Sequence, residues 1–72
     1  MPDVYRLKST TIAIQINDGL TVPLTLPRGA EVTVISKLEY GVFVDCLWED
    51  NKIQMLARDV TDRGEFVRSA EI

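Results

Sequence analysis

Histidine is missing from this 72-residue chain, and cysteine occurs once, at Cys46. The first absence removes the commonest zinc ligand and the usual general base; the second leaves no disulfide within the chain. Aromatic residues number five (Tyr5, Tyr40, Phe43, Trp48 and Phe66), and apolar runs stop after a few residues, far short of a membrane span. The segment Met1-Pro2-Asp3-Val4 has no basic stretch leading into an apolar one, so no secretory leader is expected. Gly-x-Gly phosphate loops and nucleophile elbows are also absent. Together with the lone thiol, these features point to a reducing compartment, the cytoplasm.

Positive charge is scarce as well. Eight Lys and Arg stand against eleven Asp and Glu, for a net charge of −3. From residue 39 onward, eight acids face four bases. Nucleic-acid surfaces need clustered cations. The only grouping here is Arg6, Lys8 and Lys37, so no nucleic-acid partner is expected, and no membrane partner.

What is present is apolar alternation. Hydrophobic residues make up 46% of the chain, which suits a folded single domain over residues 1–72. A core this small supplies only about 3–5 kcal/mol of net stability, so self-association is the expected way to bury more surface. Val4-Tyr5-Arg6-Leu7-Lys8 is a weakly alternating first strand with Arg6 and Lys8 toward water. Thr11 to Ile16 alternates cleanly and sets Ile12, Ile14 and Ile16 on one face. Asn17-Asp18-Gly19 reads as a three-residue hairpin loop into Leu20 to Leu26. Pro23 gives no ladder hydrogen bond, which places that strand at an edge or at a bulge.

Leu26-Pro27-Arg28-Gly29-Ala30-Glu31-Val32-Thr33-Val34 is a turn feeding a strand, with Ala30, Val32 and Val34 on one face. Leu38 to Gly41 is a loop with Gly41 at positive φ. Val42 to Trp48 has apolar groups on both faces: Val42, Val44, Cys46 and Trp48 on one, Phe43, Asp45 and Leu47 on the other. That pattern marks a strand covered on both sides or lying at a subunit interface. Glu49 to Lys52 is a polar turn, and Ile53 to Ala57 returns with Gln54 and Leu56 facing opposite Ile53 and Met55. Asp59 as N-cap and Gly64 as a left-handed terminator bracket one 3₁₀ turn. Glu65-Phe66-Val67 is the last strand, and residues 68–72 are a fraying tail.

This order of strand, long hairpin, three antiparallel strands, 3₁₀ turn and final strand resembles the SH3-like small barrel. The resemblance rests on Leu26 to Val34, the turn at Glu49 to Lys52, and Asp59 to Gly64 before Glu65-Phe66-Val67. The expected fold is therefore all-β, a barrel of five to six antiparallel strands. Function is less determined, because this barrel hosts many unrelated activities. Proline-rich peptide binding is disfavoured: the early hairpin is Ile- and Thr-rich rather than acidic and aromatic, and the chain has one tryptophan. Trp48 is read as a core or interface residue.

Among the acids, Asp45 lies in the most apolar setting and is read as an open-face charge or an Arg58 partner. Cys46 is read as an inert core residue. The surface expected to dock a second copy or a protein partner is Tyr40, Phe43, Leu47 and Leu56. A second resemblance is to the type B, trimethoprim-insensitive dihydrofolate reductases, homotetramers with one central pore. It rests on Ile53-Gln54-Met55-Leu56, which stands where that family has Val-Gln-Ile-Tyr. The resemblance implies that Gln54 and the Met55 backbone hold substrate or nicotinamide, with Lys52, Ile53 and Gln54 contacting NADPH. Leu56 in place of tyrosine, the absence of lysine from Val32 to Ser36, and the acidic charge all depart from that family. The primary expectation is a non-enzymatic interaction module without cofactor or metal.

Overall fold

Two turns set the frame. At Asp18-Gly19 both residues take positive φ, 49° and 80°, and at Glu49-Asp50 the values are 48° and 66°. Consecutive left-handed residues give a turn whose twist matches that of its flanking strands. The first turn joins β2 (Thr11–Asn17) to β3 (Leu20–Leu26), and the second joins β5 (Phe43–Trp48) to β6 (Asn51–Leu56). Both loops have two residues, because Asn17 pairs with Leu20 and Trp48 with Asn51. The three-residue loop expected after Ile16 is thus corrected: Asn17 belongs to the ladder.

The chain's computed structural model describes residues 2–36 and 41–70. The remaining elements are β1 (Asp3–Leu7), β4 (Glu31–Val34), a helix α1 (Ala57–Arg63) and β7 (Gly64–Ser69). All seven strands join one antiparallel sheet in the order β3-β2-β6-β5-β4-β1-β7. The all-β class and the early hairpin are as expected. Among the described residues the strands number seven rather than five to six, and the sheet stays open, with β3 and β7 as its two edges.

Pro23 explains one edge. It lies in β3, opposite Ile14, on a strand with no outer neighbour. The missing N–H therefore removes nothing from the ladder.

One face of the sheet curls around the core. Leu7, Ala13, Leu26, Val32, Val34, Val44, Cys46, Ile53, Met55 and Val60 meet there, from six strands and the helix. Ala30 and Trp48 pack against them, half-buried. Val42, expected to share the inward face with Val44, is exposed and precedes β5. The isoleucine face of β2 turns outward, whereas Thr11 and Ala13 are buried. Burying Thr11 costs little because its hydroxyl donates to the Ser9 carbonyl at 3.0 Å.

The segment before β7 departs most from expectation. It is a seven-residue α-helix rather than a 3₁₀ turn, and its N-cap is Leu56, not Asp59. Asp59 sits in the first turn, where a carboxylate complements the helix dipole and reaches Arg63 at 3.7 Å. Gly64 is extended (φ −109°) rather than left-handed. Its glycine is required by space: a Cβ there would come within 2.5 Å of the Val60 carbonyl oxygen. Arg68 and Ser69, read as tail, belong to β7, where Arg68 pairs with Val4 and Ser69 with Asp3. Ala70 N then donates to the Pro2 carbonyl at 2.7 Å.

Candidate interaction face

Pairing registers fix which side chains share the outer face of the sheet. Ile14 stands opposite Gln54, and Gln54 opposite Asp45. One step toward one end, Phe43 is opposite Leu56; one step toward the other, Leu47 is opposite Lys52 and Thr33. Ile12 and Ile16 flank Ile14 along β2. The outer face of β2, β6 and β5 is therefore mainly apolar, with Gln54, Asp45 and Lys52 set into it.

Exposure on this face is high for such side chains. Ile12 is 66% exposed, Ile16 52% and Phe43 47%, while Ile14, Leu47 and Leu56 are half-buried. Grouped apolar side chains left in water mark a surface that gains by being covered. A cleft of about 330 Å³ opens on the same face, lined by Ile14, Ile16, Asp45, Lys52, Ile53 and Gln54. Within it Gln54 Nε2 donates to Asp45 Oδ1 at 3.3 Å.

The expected docking residues Phe43, Leu47 and Leu56 thus come together, Phe43 and Leu56 as a direct cross-strand pair. Tyr40 lies outside the described residues. Ile12, Ile14 and Ile16 join this face from a separate hairpin, and their strict alternation was the available signal. Asp45 takes the open-face position, held by Gln54 rather than by Arg58. Trp48 borders a second, shallower hollow with Pro27, Arg28 and Glu49.

Of the residues that the reductase resemblance singled out, Gln54 and Lys52 reach the cleft with their side chains, and Ile53 and Met55 send theirs into the core. Among the described residues Lys52 is the one cation lining the cleft, and Asp45 is an anion beside it. Cys46 is fully buried one residue away, and burial, with help from the Asp45 charge, pushes its thiol up to about 12. A thiol held neutral in this way is a poor nucleophile.

Some charges elsewhere on the surface are paired. Arg6 reaches Glu31 at 3.0 Å and Glu65 at 3.9 Å, and Arg68 reaches Glu31 at 3.2 Å. The hydrogen bond from Arg6, joined by Arg68, holds the Glu31 carboxyl below its usual range. Arg6 is therefore neutralised within the chain instead of presenting a cationic patch. Among the described residues no group of His, Cys, Asp or Glu is placed to hold a metal ion, and no helix is long and apolar enough to cross a membrane. No family model matches this sequence, and neither a curated protein nor a solved structure matches it.

Proposed function

We propose that this chain is a small, non-enzymatic interaction module of the cytoplasm. It self-associates or docks a protein partner through the outer face of β2, β6 and β5. The observation that carries this reading is the exposure of Ile12, Ile16 and Phe43 beside Leu47 and Leu56 on one continuous strand surface. A free, buried thiol suits a reducing compartment. We further propose an SH3-like architecture. The β4-β5-β6 meander, the hairpin before it, the helix after β6 and the pairing of β7 with β1 support it.

The test replaces Leu47 and Leu56 by alanine, with Phe43→Ser as a milder second variant. Light scattering reads self-association, and the immobilised chain is compared with each variant for proteins retained from a cell extract. The expected result is loss of self-association, or of the proteins retained by the wild-type chain, in variants that keep the wild-type circular dichroism. Folded variants that retain both the wild-type mass and the same proteins would overturn the reading.

A further inference from the structure

Both edges of the sheet are poor sites for adding a strand. In a two-residue hairpin the residues flanking the turn form a hydrogen-bonded pair, and such pairs alternate along the ladder. Counting from Asn17–Leu20, the Ile14–Pro23 pair is a non-hydrogen-bonded one. Pro23 therefore turns its hydrogen-free nitrogen toward the open side of β3, where an added strand would need a donor. On the other edge, β7 pairs through Phe66 with Tyr5 and through Arg68 with Val4, so Val67 is an extra residue that bends the strand. Of the two edges and the outer face, the outer face is the better surface for association.

That face has a pattern of its own. Lys52 and Asp45 lie on one diagonal of a four-residue rectangle, about 5 Å across the strands and about 7 Å along them, and Gln54 and Leu47 on the other. Among the described residues neither Lys52 nor Asp45 enters an ion pair. We propose that this face binds a second copy of the chain about a two-fold axis lying in the interface along the Gln54–Leu47 diagonal.

Such an axis carries each end of the other diagonal to within about 3 Å of the opposite end, in projection. Each Lys52 then lies over Asp45 of the partner subunit, twice per dimer, and Leu47 meets Leu47. The same operation carries Ile14 close to Leu56, so apolar groups meet there. Strands of the two copies then cross at about 70°, closer to the orthogonal than to the aligned packing of sheets. A foreign partner would need a matching acid, base and apolar pattern; a second copy has it by symmetry. Among the described residues of β2, β6 and β5, the face carries one acid and one base, whose charges cancel.

This inference rests on the proposed docking face and is tested separately from it. Masses of the wild-type chain, Lys52→Asp, Asp45→Lys and an equimolar mixture of the two variants are measured by light scattering up to about 1 mM. The wild-type chain is expected at twice its 8.1 kDa. Each variant alone sets like charges against each other at two contacts and should dimerise about a hundredfold more weakly. The mixture restores opposite charges at both contacts and should recover the dimer. That recovery also shows that neither variant merely misfolds. A wild-type chain that stays monomeric overturns the two-fold while leaving partner docking to the alanine test. Variants that associate like wild type, or a mixture that fails to recover, overturn it as well.

Discussion

The two hairpins of this molecule begin alike and end differently. Each is closed by two left-handed residues, and each keeps an unbroken register. Yet Ile53 and Met55 on β6 are 1% exposed, whereas Leu20 on β3 is 70% exposed. The difference comes from neighbours. β5 and β6 each have a strand on both sides, but β3 has none beyond β2, and β2 meets β6 only at Ile14 and Gln15. Past those residues the first hairpin overhangs its own sheet. Turn chemistry makes a hairpin, and position in the sheet decides how much it contributes to stability.

The sharpest way to break this comparison is to truncate one side chain in each hairpin. Met55→Ala should cost about 2–5 kcal/mol, the usual range for emptying a core site, and Leu20→Ala under about 0.5 kcal/mol. Urea unfolding of the two variants measures both. Equal losses would mean that the overhang is structurally integral to the fold.

A smaller effect separates the two turns. Asp18-Gly19 places glycine at its second left-handed position, but Glu49-Asp50 places aspartate there. An L-residue in that region pays about 1–2 kcal/mol, less for aspartate, so Asp50→Gly should raise stability by about 0.5–1 kcal/mol. Gly19→Ala should lower it by about 1 kcal/mol despite open space around the added methyl. The unfolding midpoints should move in opposite directions.

A further effect is a titration. The Cys46 thiol has its folded pKa raised from 9.0 to about 12, so the fold favours its neutral form. Its contribution to stability is complete below pH 9, begins to fall as the unfolded thiol ionises, and is gone above about 12. Between pH 9 and 10 only the first part of that loss should appear, and it should vanish in Cys46→Ser. On the overhang, Ile16→Cys in that background should react with iodoacetamide at the rate of an exposed thiol. Cys46 in the wild-type chain should react only after unfolding.

Much of the scaffold was legible in the chain because local chemistry determines it. Gly41 does take positive φ, Pro23 does lie on an edge strand, and Val32 and Val34 do share the buried face. Side-chain alternation on β2 was equally clear, but alternation separates two faces without saying which one is covered. There the larger side chains face out, and the smaller Thr11 and Ala13 occupy the crowded inner side. The same limit applied at Gly64. In sequence it resembled a left-handed helix terminator, and its actual constraint, the approach of the Val60 carbonyl, exists only once the helix has packed. The proposed docking face was half legible. Phe43, Leu47 and Leu56 follow from two apolar sides of one hairpin, whereas the isoleucines reach them only through the β2–β6 pairing, about forty residues apart in the chain.

The placement of β1 has a consequence for how the molecule is made. Its Tyr5 pairs with Val32 on one side and Phe66 on the other, so the first strand is sandwiched between the middle and the end of the chain. Contacts separated by some sixty residues form slowly, because a large loop must close before they reward it. During synthesis the local hairpins can form as they emerge, but β1 gains its second neighbour only after residues 64–69 have left the ribosome. Until then Tyr5 and Leu7 wait beside an incomplete sheet, which β7 completes.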